Sequence, residues 1–388
     1  MVSVFCFEVF MKRTNPADIE AAKFYELQNE LSESKARKAT AIITLSTVFL
    51  ILICAGILIW ILPREYLSEN ENRILADLPE FSANSLLDGH LSGEVSDFCS
   101  DHFPFRDFFV ELHSSSELLL QGEANGVIKG KNGVLAIRPD ISEKHLNNLF
   151  ETRNAINKFT EDFENMGLES VTAIAPFPTE VQENSMPSLW PNAHLTNVTK
   201  NIKNAVYLES VLDGKENVWF KTDHHWTAYG AYLAYVELGE YLGYTPYKAH
   251  DFSVETVSDS FYGTVYSRSG LYSTSPDTVE LWRYAGDEKF YDMSFLYKKD
   301  KYAVFGGGNH GHLTYDSDAK KTRLLIIKDS YANAVIPFLA RHFSLEVVDP
   351  RYFYGDIYEI AKKCDKVLFL YGASSLLTDT DLVRLMLK

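Results

Sequence analysis

The chain has 388 residues, enough to bury a substantial core, and its 46% hydrophobic and 13% aromatic content excludes a disordered or low-complexity protein. The formal charge is −16, and because residues 1–62 hold six basic and six acidic side chains, the whole excess falls on residues 63–388. That distribution argues against nucleic acid or anionic lipid as a partner, since both attract cationic surfaces.

In chain order, residues 1–38 read as a polar, partly helical cytosolic tail, within which Met11, followed by "KRTNPADIE", reads as an alternative start. Residues 39–62 read as a transmembrane helix. Their central run "AIITLSTVFLILICAGILIWIL", Ala41 to Leu62, has 22 residues without a charge. At about 1.5 Å per residue it spans roughly 33 Å, enough for a bilayer's hydrocarbon core. A buried core helix rarely stays apolar on every side for about six turns. A cleaved signal peptide is disfavoured by the length, the internal position and the lack of a following A-x-A-type site. "KARK" precedes the run, whereas "PREYLSENEN" after it carries one Arg and three Glu. The positive-inside rule then predicts a single-pass cell-membrane protein with its N-terminus in the cytosol and everything after Pro63 outside.

Residues 63–125 read as an extracytoplasmic stalk and packing helices, with Phe108, Phe109, Leu112, Leu118 and Leu119 at roughly helical spacing. "GVIKGKNGVLAI" alternates around a Lys-Asn-Gly turn and predicts a hairpin at the entrance of the main domain, residues 126–388. Cys6 and Cys54 fall in the cytosol and the membrane. Cys99 and Cys364 fall outside, where one bridge and two free thiols are both open; two cysteines are too few for a disulfide framework.

From about Ile141, amphipathic helices alternate with short apolar strands. "KHLNNLFETRNAINKFTEDFENMG" is a helix, "SVTAIAP" a strand, "NVWF" a short strand and "WTAYGAYLAYVELGEYLG" a helix. The C-terminal part runs strand "RLLIIKDS", helix "YANAVIPFLARHF", strand "LEVVDP", helix "GDIYEIAKKC", strand "KVLFLYG", helix "SLLTDTDLVRLMLK". Buried strands separated by single helices predict an α/β fold with a mostly parallel sheet and helices on both faces. In such folds reactive groups gather at the carboxyl ends of strands, and both "DHHW" (Asp223–Trp226) and "KDS" (Lys328–Ser330) fall there.

Ser330 lies where a buried strand turns into a helix, the arrangement that presents a nucleophilic hydroxyl, and free N–H groups at the helix start favour an oxyanion beside it. The competing reading is that Ser330 or Asp329 only caps that helix. A serine nucleophile needs a base, and the base needs a third group to fix its tautomer. Asp223 and His225, two residues apart, supply such a pair; against it stands first-turn packing, with Thr227 as the cap. A metal site drawing on His224, His225, His310 and His312 is the sharper competitor. Adjacent side chains diverge, however, and the sequence holds neither an H-x-x-x-H pair nor a second carboxylate cluster. "FGGGNHG" lacks the G-K-[ST] of a phosphate loop and reads as a loop near the serine. His224, Trp226, Asn309, Tyr331 and Arg351 are the candidates for substrate contacts or oxyanion donors.

The blocks "VWFKTDHHWTAYGAYLAY", "YGTVYSRSG", "GGGNHG", "LLIIKDSYANAVIPFLARHF" and "VVDPRYF", with "ENRILADLPEF", "DHFPFRD" and "NGVIKGKNGVL" upstream, occur in one order from about Glu71 to the C-terminus. In them the chain resembles the DHHW family of bacterial surface proteins, itself similar to the SGNH-hydrolase-like O-acetyltransferases of alginate and related exopolysaccharides. The resemblance implies an SGNH-hydrolase-like fold in which Asp223 is the acid, His225 the base and Ser330 the nucleophile. It also implies two-step acetyl transfer to a cell-surface polysaccharide in the cell envelope. No cofactor would be needed, and a multipass membrane-bound O-acyltransferase would be the donor partner. The sequence departs from the pattern at Lys328-Asp329, where a glycine is usual before the nucleophile. The alternatives are an esterase on the same acyl-enzyme, a non-catalytic glycan-binding or scaffold protein, and a metal-dependent hydrolase.

Overall fold

The 22-residue apolar run forms part of one continuous helix, α1 (Pro16–Ile61), which absorbs most of the polar tail as well. A computed structural model describes residues 16–80, 82–187, 199–317 and 321–386; Met11 and Cys6 lie outside the described residues. The stretch Lys23–Ile61 is long and apolar enough to cross a membrane. Ile43, Leu50 and Ile57 on it are exposed, as suits side chains that would face lipid rather than water.

Two units emerge. The first comprises the chain to Tyr66 together with Leu75–Arg106. In it, Phe98 of α2 (His90–Asp101) is buried 6.3 Å from Trp60, and the Arg64 guanidinium stands 5.4 Å from each ring. The second comprises Leu67–Ile74 and Asp107–Lys388. Its longer segment begins within α3 (Arg106–Gln121), followed by the expected hairpin, β1 (Val127–Lys129) and β2 (Leu135–Ile137). Asn132 at the hairpin's tip takes a left-handed φ of 56°, which Asn tolerates better than most residues.

The second unit is built on a six-stranded sheet. Its elements in chain order are α4 (Glu143–Asn165), β3 (Glu169–Ala175), β4 (Ala205–Tyr207), α5 (Ala228–Leu242), β5 (Ser253–Phe261), α6 (Thr264–Ser269), β6 (Asp277–Arg283), β7 (His312–Tyr315), β8 (Arg323–Lys328), β9 (Ser344–Val348), β10 (Lys366–Gly372), α7 (Ala373–Thr378) and α8 (Asp381–Met386). The strand order is β4-β3-β10-β8-β9-β7, with every pair parallel except the edge pair β9–β7. β5 and β6 form a separate antiparallel pair.

Alternation along each strand sorts the core into two layers. Leu324, Ile326, Leu368 and Leu370 join the layer that includes Ala231, Tyr235 and Leu238 of α5. Leu325, Ile327, Val367 and Phe369 join the other, with Ile156, Phe159 and Phe163 of α4 and Leu376 of α7. Parallel strands covered on both faces need apolar side chains at every position, so β8 reads as an unbroken run. This is the α/β class expected, with its mostly parallel sheet.

Three elements differ from the sequence reading. "NVWF" makes no strand: it folds back on the motif that follows it, as described below. The helix expected after Ser330 is a 3-10 turn, Ser330–Ala334, followed by one helical turn, Ile336–Leu339, with Pro337 lacking an N–H at its start. The C-terminal helix is two, broken between Thr378 and Asp381.

Candidate active site

Residues 218–227 fold as a tight hairpin-like loop. Phe220 N–H donates to His225 O, Thr227 N–H donates to Val218 O, and Trp219 faces Trp226 in an isolated bridge. Thr227 then caps α5 by accepting from Gly230 N–H. The loop's tip, Asp223–His225, is held from below by Asp277, whose carboxylate accepts from Lys221 N–H (2.9 Å), Thr222 N–H (2.8 Å) and Thr222 Oγ1 (2.6 Å). Of the two motifs placed at strand ends in the sequence, only the serine's occupies one; the other reaches it from a loop.

Asp223 is almost fully buried. Its Oδ2 accepts from Thr264 N–H (2.7 Å) and Thr264 Oγ1 (3.0 Å) at the start of α6. Gly263 makes that approach possible, since a Cβ there would lie 2.3 Å from Asp223 Cβ. The other oxygen, Oδ1, accepts from His225 N–H at 3.0 Å and meets His225 Nδ1 at 2.6 Å. Burial pushes the Asp223 carboxyl upward, but the facing His224 and His225 outweigh it and hold the group below the usual carboxylate range.

With Nδ1–H committed to Asp223, His225 Nε2 is the ring's acceptor, and it stands 2.8 Å from Ser330 Oγ. Tyr302 stacks flat on the imidazole, centroids 3.8 Å apart at 7°, and its hydroxyl donates to Ser330 O. Ser330 follows β8 directly and is partly accessible. Asp329 fixes the turn: its carboxylate accepts from Tyr331 N–H (2.9 Å) and from Gly372 N–H (2.7 Å) at the end of β10. The arrangement can lower the cost of deprotonating Ser330 Oγ and can return that proton to a leaving or entering oxygen.

The remaining candidates fall in different places. His224 lies beside His225, ring centroids 3.8 Å apart, and lines a cavity of about 360 Å3 with Tyr331. Tyr331 is buried and its hydroxyl donates to His224 O at 2.6 Å. Trp226 is fully enclosed and its one polar atom donates to Tyr331 O at 3.0 Å, so the expectation of a substrate contact there is corrected to a packing role. Asn309 is exposed on the glycine loop, where Gly306, Gly307 and Gly308 all take positive φ. Its Oδ1 accepts from Lys328 Nζ (3.0 Å) and from Asn333 Nδ2 (3.2 Å). Arg351 grips Asp349 through two nitrogens, at 2.9 and 2.7 Å.

Lys328 is buried and donates to Asn309, Asn333 and Asp349. Burial pushes its ammonium down, opposed by Asp349. Lys328 stood in the KDS motif without a role, and nothing in the sequence assigned one to Thr264, Asp277 or Tyr302; the last two lie in no motif. The metal reading gathers only part of its ligand set. Asp223, His224 and His225 have ligand atoms within 4.8 Å of one another, with Nδ1 of each imidazole engaged in a hydrogen bond, whereas His312 pairs with Glu346. Cys99 and Cys364 are both free thiols.

Asp223, His225 and Ser330 all fall inside one recognised stretch of sequence. Residues 194–348 match the DHHW protein family. Among solved structures, the DHHW-matched chain is similar to a DHHW family protein from Eubacterium siraeum, at 21% identity over 68% of this chain and 96% of that one, with a TM-score of 0.51. It is also similar to PatB1 of Bacillus cereus, at 19% identity over 66% of this chain and 98% of that one, with a TM-score of 0.54. The same protein solved with a sulfonyl adduct scores 0.51. A looser likeness, TM-score 0.46 at 16% identity over 67% and 95% of the two chains, is to the O-acetyltransferase domain of Pseudomonas putida AlgJ. At these identities the likeness is one of fold. No curated protein matches the chain.

Proposed function

We propose that the chain is a membrane-anchored, extracytoplasmic O-acyltransferase acting on a cell-surface polysaccharide through Ser330, His225 and Asp223. The observation that carries this reading is the unbroken relay from Asp223 Oδ1 through His225 to Ser330 Oγ, at 2.6 and 2.8 Å. A structural cap would have no need of the imidazole. The DHHW match and the anchor-length α1 support the family's role at the cell envelope, with α1 as the anchor, residues 63–125 as the stalk and residues 126–388 as the catalytic domain.

In the first half-reaction Ser330 Oγ bonds to the acyl carbon, its proton passes to His225 Nε2, and the donor oxygen leaves with that proton. In the second, an acceptor hydroxyl gives its proton to His225 and bonds to the acyl carbon while the Ser330 ester breaks, and His225 returns that proton to Ser330 Oγ. Asp223 stabilises the imidazolium in both. A multipass acyltransferase would supply the donor, and water in place of a sugar would make the same acyl-enzyme an esterase.

A sulfonyl adduct is recorded on PatB1, and an activated serine is the ordinary target of a sulfonyl fluoride. Phenylmethanesulfonyl fluoride should therefore label Ser330, detected by peptide mass, and His225→Ala should slow labelling at least a hundredfold. Surface glycan acetylation should vanish with Ser330→Ala. Labelling indifferent to His225, or acetylation that persists without Ser330, would instead favour a glycan-binding scaffold.

A further inference from the structure

His224 has no part in the relay, yet its ring is placed and polarised as firmly as that of His225. Its Nδ1 lies 2.8 Å from Thr264 Oγ1 and 3.5 Å from Asp223 Oδ1. Thr264 has one hydroxyl proton, and Asp223, an ionised carboxylate, can only accept it (3.0 Å). Thr264 Oγ1 must therefore accept from His224, which puts the His224 proton on Nδ1 and leaves Nε2 with a bare lone pair. That nitrogen finds no hydrogen-bond partner among the described residues, and about a third of the side chain, 34%, stays exposed.

Burial and the neighbouring His225 push the imidazole down to about 4, so the lone pair persists at neutral pH. The ring lines the cavity of about 360 Å3, whose wall mixes the apolar Phe177 and Tyr331 with the polar Arg138, Arg268 and Thr378. An apolar wall with a few converging polar groups is the ordinary composition of a small-molecule pocket. The two imidazoles, ring centroids 3.8 Å apart, thus lie side by side, His225 against Ser330 and His224 on the wall of the cavity.

We infer that His224 Nε2 accepts a hydrogen bond from the hydroxyl adjacent to the one being acylated, so that the site selects a sugar carrying a vicinal diol. The inference rests on the acyl-serine reading above. Two neighbouring hydroxyls of one ring would be read by two neighbouring imidazoles, His225 taking the proton of the reacting hydroxyl and His224 orienting its partner. No proton leaves that second hydroxyl during transfer.

The test uses the full chain in detergent, acetylated with p-nitrophenyl acetate, with trans-cyclohexane-1,2-diol and cyclohexanol as competing acceptors and the esters separated by mass. Wild-type protein should acetylate the diol at least tenfold faster than the mono-alcohol, beyond the statistical factor of about two. His224→Leu should bring the two rates together, read as the partition of the acyl-enzyme between the two acceptors, which is independent of how fast the acyl-enzyme forms. Thr378→Trp, a bulky substitution at an exposed residue of the cavity wall, should lower diol transfer at least tenfold. Equal transfer to diol and mono-alcohol by wild type, or a preference for the diol that persists in His224→Leu, overturns the role of His224 alone. A burst that survives Ser330→Ala overturns the triad, and this inference with it.

Discussion

Replacing Asp223 with Asn would keep the side chain's volume but reverse a donor and an acceptor beside His225 Nδ1, favouring the wrong tautomer. A loss of about 10^4-fold in acyl transfer is expected, with some loss of thermal stability because the amide nitrogen also faces donors whose bonds the buried carboxylate accepted. His224 also has a consequence for stability. Its folded pKa, about 4, lies below the unfolded value of 6.5, so the unfolded chain binds the proton more readily. The contribution is complete above the unfolded value and is lost as pH falls from 6.5 towards 4. Asp223, also depressed, acts in the same direction at lower pH. Denaturant midpoints between pH 7 and 4 should thus fall less steeply in His224→Asn than in wild type. At this scale the sequence indicated Asp-x-His and the strand-end serine, because short-range spacing and residue type express that chemistry. Tyr302 and Asp277 went unread because their positions, 77 and 54 residues from His225 and Asp223, acquire meaning only when the chain closes on itself.

Among the elements, β8 carries the site, since its last residue is the hub lysine and its next turn holds Ser330. Lys328→Met would remove one of the two cations on the buried Asp349. By analogy with other buried pairs it should cost on the order of 3 kcal/mol in urea unfolding, and Asp349→Asn in the same chain should recover part of it. Gly372→Ala would drive a Cβ to 2.4 Å from the buried Tyr331 ring, shifting the turn that presents Ser330. Sulfonyl labelling should slow more than stability falls, which comparison of labelling rate with melting temperature checks. The four inner strands β3, β8, β9 and β10 were legible because a strand buried on both faces must be apolar throughout, whereas the short edge strands β4 and β7 went unread. The helix after Ser330 was not, since "YANAVIPFLARHF" is apolar enough for one and only Pro337 hints at the break.

For the whole molecule, the proposed topology makes a claim about two thiols. Cys99 is exposed and should react with a membrane-impermeant maleimide added to intact cells. Cys364 should not, because burial pushes its thiol up to about 12 and its Sγ donates to Ile360 O. Labelling of Cys99 only after lysis would place the domain on the other side of the membrane. A net charge of −16 favours solubility and does not bear on the fold.

The apolar run, the charge asymmetry around it, the alternating α/β rhythm and the DHHW and KDS motifs were all fixed by local order along the chain. Periodicity and residue type are local quantities, so one sequence is enough to read them. Tertiary structure alone decided that a hairpin-like loop, not a strand end, brings His225 to Ser330. It also decided that Trp226 packs while His224 opens to a cavity, and that Lys328 joins three segments. Each depends on residues far apart in the chain being held by the same sheet, and no spacing along the sequence encodes that distance.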